Sequence, residues 1–144
     1  MKLPDLNLLL YALNKDSAHH ALAKAWLDEA LNNEEPVGLA WVVILGFLRI
    51  STNPRIMPKP LTPSQSVDIV DGWLKLPATV VIEPGSEHWL ILKELLLETG
   101  MGGNLTTDTH LAALAIENGS RLYSLDNDFA RFKRLNWINP LNRS

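Results

Sequence analysis

Short apolar segments bounded by turns alternate with longer stretches of helical periodicity, and that alternation constrains the fold more than any other feature of the chain. Lys2 to Asp5, Val37 to Ala40, Thr79 to Ile82 and Arg121 to Ser124 are brief and mostly apolar, as buried strands are. Ser17 to Leu31 carries Leu22, Ala25, Trp26 and Ala30 at helical spacing, with Lys24, Asp28 and Glu29 elsewhere on the wheel. Trp41 to Ile50 reads as a buried helix ending at Asn53-Pro54. Thr62, Pro63 and Gln65 supply an N-cap, a first-turn proline and a capping-box partner for a helix running to about Lys75. Ser86 is expected to cap a helix through Leu97 that Gly100 stops, and Thr107 or Asp108 to open another that Gly119 stops. Strands that alternate with helices pair in parallel, because parallel neighbours need crossovers. The expected fold class is therefore α/β, a small mainly parallel sheet between helix layers.

A chain of 144 residues, 47% apolar and 20% charged, has room for one globular domain, and no repeat or linker divides residues 1–144. It contains no cysteine, which removes disulfide scaffolds, thiol nucleophiles and thiolate zinc sites and makes the cytoplasm the default location. The run from Gly38 to Leu48 is too short to span a membrane. Met1 to Leu13 is interrupted by Asp5 and Asn7 and reads as a first strand and helix, not a signal peptide. The net charge of −3 argues against a protein that coats nucleic acid. That average hides a gradient: from Arg121 onward Arg121, Arg131, Lys133, Arg134 and Arg143 face only Asp126 and Asp128. Such a tail is either a solvated face or a patch for phosphate.

In sheets of this kind ligands gather beyond the carboxyl ends of the strands. Asp5 closes the first strand with Asn7 two residues on, Asp126 and Asp128 follow the strand that ends at Ser124, and Asp108 opens a helix after Gly102-Gly103-Asn104. Each acid alone has an ordinary explanation as a cap or turn residue. Brought together by the sheet, they would raise one another's pKa or demand a cation. An all-oxygen donor set favours Mg²⁺, with Mn²⁺ as an alternative, over zinc. His19 and His20 face different ways on one helix, His88 sits in a first turn and His110 points away from Asp108, so none is expected to be a ligand. Neither a Walker loop, a nucleophile elbow nor a dinucleotide fingerprint is present. A divalent ion in an acidic pocket suits phosphodiester hydrolysis. Arg49, Arg55 or Arg131 could then offset the remaining substrate charge.

The stretches Asp5 to Ala12, Gly46 to Arg55, Asp108 to Ala115 and Ser124 to Phe129, in that order and spacing and followed by Leu135 to Leu141, resemble the PIN-domain ribonucleases, most closely the VapC toxins of bacterial toxin-antitoxin pairs. The resemblance covers nearly the whole chain. It implies a PIN-like three-layer sandwich, a Mg²⁺-dependent endoribonuclease acting on structured RNA, a cognate antitoxin that silences it, and a homodimer. By position it implies that Asp5, Asp108 and Asp126 bind the metal, with Asp128 an accessory catalytic carboxylate and Asn7, Arg49 and Ser124 on the substrate side.

One departure stands out. Many PIN proteins carry a glutamate on the helix corresponding to Trp41 to Ile50, and no acid lies between Glu35 and Asp68 here. One metal ion or two therefore both remain consistent with the chain, and a catalytically inactive PIN-fold binding module is the alternative reading. A phospho-accepting receiver domain lacks an aspartate after the second strand, and a haloacid-dehalogenase-like phosphatase would need an acid where Asn7 stands. Among five tryptophans, a helical one is more often core, and Trp26 and Trp73 are the candidates for touching a partner chain instead.

Overall fold

The computed structural model describes residues 1–141; Arg143, counted in the basic tail, lies outside the described residues. Among those described, the strands are β1 (Lys2–Pro4), β2 (Val37–Ala40), β3 (Thr79–Ile82), β4 (Arg121–Tyr123) and β5 (Trp137–Ile138). All pairings are parallel, in the order β3-β2-β1-β4-β5. The helices are α1 (Leu6–Leu13), α2 (His20–Leu31), α3 (Trp41–Ser51), α4 (Pro63–Leu74), α5 (His88–Thr99) and α6 (Thr106–Glu117).

The chain winds from β1 outward through β2 to β3, then crosses back to β4 and β5. Right-handed crossovers therefore place α1 to α4 on one face and α5 and α6 on the other. The packing agrees: α1 lies on α2 and α3, α3 on α4, and α5 on α6. Strand β2 is buried throughout because it is covered on both sides, whereas edge strand β3 exposes Val80 and Val81. Leu3, Val37, Leu39, Phe47, Leu114, Leu122 and Phe129 form the centre of the core.

The Thr62–Gln65 capping box and Pro63 open α4 as its sequence requires. Gly100 and Gly119 adopt left-handed φ of 64° and 60° after α5 and α6, a conformation open to glycine at no steric cost. Two helix starts differ from expectation, and one strand is added. Helix α2 begins at His20, since Ser17 is spent on a turn in which its hydroxyl accepts from the His19 N–H. Ser86 caps nothing: the carboxylate of Glu117 on α6 reaches the N–H groups of Gly85 and Glu87 instead. Strand β5 is an addition, joined to β4 through residues 124–136 and a 3₁₀ turn at Asn127–Arg131.

The tryptophans also sort differently. Trp26 is buried against Tyr123 and Trp73 is half-buried, edge-on to Phe47, because both fill the sandwich. The open ones are Trp41 and Trp89, and Trp89 is 67% exposed. Among the described residues no helix is long and apolar enough to cross a membrane.

Candidate active site

Strand order reverses at β1, whose neighbours β2 and β4 lead the chain in opposite directions. A crevice opens beyond the strand ends at such a reversal, because the following segments leave toward opposite faces. Asp5 stands at the end of β1 and Ser124 and Asp126 just after β4, so the chain turns away on either side of this crevice. Asp108 enters from above, in the first turn of α6.

Asp5 is fixed from three directions. Its backbone N–H donates to the Tyr123 carbonyl at 2.9 Å, extending the β1–β4 ladder by one bond. Its Oδ1 accepts from the Leu6 N–H at 2.7 Å and its Oδ2 from the Ser124 hydroxyl at 2.8 Å. The Ser124 oxygen in turn accepts the Asp126 N–H at 3.0 Å. Asp126 Oδ1 accepts the Asp128 N–H at 2.9 Å, which closes the 3₁₀ turn and brings Asp128 back toward Asp108 and Asp126. One relay of hydrogen bonds therefore sets the relative positions of three acids. Ser124 itself is fully buried, so it acts on the site through Asp5 and Asp126 and not by touching a substrate.

Carboxylate oxygens of Asp108, Asp126 and Asp128 all lie within 4.8 Å of one another. Asp5 stands outside that tightest trio but lines the same cleft of about 200 Å³, with Asn7, Val42, Val43, Thr107 and Leu111. Asp5, Asp108 and Asp126 thus share one cleft, as expected of neighbours, and Asp128, expected as the accessory carboxylate, joins Asp108 and Asp126 in the tightest trio. Asn7 is exposed at the cleft rim, beside the N-cap that Asp5 and not Asn7 supplies. Arg49 points to solvent seven residues beyond Val42 on α3, about 10 Å along the helix axis, and does not line the cleft. Arg55 is also exposed, outside the cleft.

Negative charge is concentrated here with only partial compensation, from Arg131. Burial, and then the charges of Asp5, Asp126 and Asp128, push Asp108 up to about 6, with Arg131 pulling the other way. Burial also raises Asp5, against the bonds from Ser124 and Leu6 that favour its charged form. Among the described residues Arg131, three residues after Asp128, is the cation that pairs with the cluster. It donates through Nη2 to Asp128 Oδ1 at 3.0 Å and through Nε to the Asp128 carbonyl at 2.9 Å. Three carboxylates that converge within 4.8 Å form a donor set for a hard divalent ion. Ligand oxygens at about 2.1 Å from Mg²⁺ lie within about 4.2 Å of each other, so small rotations bring the trio into range.

Helix α3 presents Val42 and Val43, and no acid, to the cleft. Gly46 faces α1, and a Cβ there would stand 2.5 Å from Leu6 Cδ2. The missing carboxylate is thus part of the packing, which brings α1 and α3 close together. His110 turns to His88, with 2.9 Å between Nδ1 and Nε2, and takes no part in the cleft.

Comparison with known proteins points the same way. A family model described as "PIN domain" matches residues 2–135. Ribonuclease VapC37 of Mycobacterium tuberculosis is 42% identical over 140 residues, covering 97% of each chain. Ribonuclease VapC43 of the same organism is 39% identical over 137 residues, 95% of this chain and 93% of that one. Among solved structures, VapBC2 from Rickettsia felis, bound to a DNA fragment from the promoter, superposes with a TM-score of 0.71 at 19% identity, over 96% of this chain and 97% of that one. M. tuberculosis VapC20, described as a sarcin-ricin loop cleaving toxin, gives 0.69 at 14% identity, over 94% and 98%.

Proposed function

This chain belongs to the PIN-domain family, among its VapC ribonucleases, and from that premise we propose that it is a toxin that hydrolyses RNA phosphodiester bonds at the Asp108–Asp126–Asp128 cluster. The observation that carries the reading is the convergence of those three carboxylates, with Asp5 beside them, at the point where the strand order reverses. Asp108, Asp126 and Asp128 hold Mg²⁺, with Mn²⁺ able to replace it. When bound, the ion supplies a water acidic enough to yield hydroxide near neutral pH and offsets charge gathering on the phosphoryl oxygens.

The chain's own residues do the rest. Asp5 has one lone pair per oxygen left after Ser124 and Leu6 are satisfied, and with these it takes a further ligand position or orients the attacking water. Ser124 keeps Asp5 and Asp126 in register as a positioning residue. Asn7 at the rim offers an amide to the strand being cut. The narrow, partly apolar cleft admits an unstacked strand more readily than a duplex, which favours exposed positions in structured RNA.

As a single PIN-like unit in the cytoplasm, the protein meets a cognate antitoxin and pairs with a second copy. Exposed Trp89, Leu90 and Leu97 on α5 supply apolar surface of the kind such contacts cover. The absence of an acid on α3 favours a second reading, an inactive PIN-fold binding module. One assay separates them: purified, antitoxin-free protein incubated with structured RNA and Mg²⁺. Cleavage that EDTA stops and that Asp108→Asn lacks supports the ribonuclease. Full activity in Asp108→Asn refutes the site, and an inert wild type leaves the binding module.

A further inference from the structure

The acidic cleft can manage one phosphate, the one over the cation, but it repels the phosphates on either side of it. A strand that crosses this site needs compensating charge close by. Arg131 marks where that charge begins. Its Nε and Nη2 are held by Asp128, while Nη1 meets the thioether of Met101, a weak acceptor that a phosphate oxygen displaces readily. Beyond Arg131 lies a second, open cleft of about 550 Å³, lined by Glu98, Thr99, Met101, Arg131, Lys133 and Arg134. Three cations against Glu98 make it a basic spot on a chain whose net charge is −3.

These cations are available. Lys133 is exposed and pairs with no carboxylate among the described residues. Arg134 meets Glu94 at 2.9 Å in an exposed pair of the kind that gives way at little cost. Arg131 lines the basic cleft and holds Asp128 of the acidic cluster at 3.0 Å, so the basic cleft abuts the cluster.

We propose that the Arg131–Lys133–Arg134 cleft is the subsite for the single-stranded RNA flanking the cut, holding the phosphates next to the scissile one. The proposal rests on the ribonuclease reading above. It accounts for an acidic protein acting on a polyanion: binding charge is confined to one short path beside the metal cluster.

The test is cleavage kinetics on a structured RNA with an exposed single-stranded loop of roughly 12 nucleotides, in Mg²⁺, over a series of salt concentrations. Lys133→Gln/Arg134→Gln should raise KM about tenfold and flatten the slope of log KM against log salt by about 1.4, about 0.7 for each phosphate no longer neutralised. Lys24→Gln/Lys75→Gln removes the same charge elsewhere on the surface and should leave the slope as in wild type. If the first pair leaves KM and slope unchanged while wild type cleaves, the subsite is wrong and the ribonuclease stands. If wild type does not cleave, the ribonuclease reading fails and this inference with it. Should the double variant fail to fold by circular dichroism, Lys133→Gln alone decides, with a slope change of about 0.7 expected and none overturning the proposal.

Discussion

Replacing Asp108 with asparagine should make the metal-free protein more stable while abolishing its cleavage of RNA. Asp108 is raised from an ordinary 3.8 to about 6, first by burial and then by Asp5, Asp126 and Asp128. At 1.36 kcal/mol per pKa unit this difference corresponds to about 3 kcal/mol against the ionised form. Asp108 is partly open to water, and screening reduces the figure to about 1–2 kcal/mol. The first turn of α6 returns about 0.5 kcal/mol by favouring a negative charge at its N-terminus. The net expectation for Asp108→Asn at pH 7.5 in EDTA is a gain of about 1 kcal/mol. For 144 residues, that is a rise in Tm of about 3 °C. The sign follows from the direction of the shift. A carboxyl raised in the folded state stabilises fully below its unfolded value, and that stability is lost as pH rises from about 4 through about 6. The advantage of the variant should therefore be nearly gone near pH 3.5, where Asp108 is mostly protonated in both states. In Mg²⁺ the order should invert, since an ion at a hundredfold its Kd adds about 2.7 kcal/mol to wild type alone. Scanning calorimetry at both pH values, with and without Mg²⁺, measures all of this. A variant no more stable than wild type at pH 7.5 in EDTA would show that the carboxylates do not repel as their convergence requires.

The same linkage makes ion binding pH-dependent: below about 6, Mg²⁺ must displace a proton from Asp108, so its affinity should fall up to tenfold per pH unit between pH 6 and 5. Isothermal calorimetry that gave equal affinity at pH 5 and 7.5 would contradict it. Ser124→Ala strips Asp5 of a charge-assisted bond and leaves the Asp126 N–H without its acceptor, which should cost about 2–4 kcal/mol in urea melts and weaken Mg²⁺ binding as well. Gly38→Ala would set a methyl 2.1 Å from Ile82 Cδ1 in the middle of the sheet, and should cost about 1–3 kcal/mol by the same melts.

What the sequence reveals about this fold divides along the range of the interactions involved. Thr62, Pro63 and Gln65 fix the start of α4 among themselves, and Gly100 and Gly119 end their helices by their own φ, so each is readable within a few residues. The start of α5 is not, because its amides are met by Glu117, some thirty positions away on α6. Strand β5 has two residues, too few to carry a period, and exists because β4 offers it a parallel edge. Trp26 and Trp73 look like candidates for a partner surface in a linear reading, yet Tyr123 and Phe47 lie against them from other elements.

The candidate site follows the same rule, with one informative exception. Asp5, Asp108 and Asp126 are visible as acids beyond strand ends, and the resemblance to PIN proteins selects the same positions. Which acids stand closest is decided by a local device hidden in plain sight, Ser124-Leu125-Asp126-Asn127-Asp128. Its Ser124 and Asp126 side chains accept the N–H groups two residues on and fold Asp128 back toward Asp108. The short turn thus does two things at once: it satisfies its own backbone and it places charge against charge. A turn selected for stability alone would not aim a carboxylate at two others. On the proposed ribonuclease reading, the unfavourable charge is what the chain retains for its chemistry, and the bonds among Ser124, Asp5 and Asp126 are what hold that arrangement together.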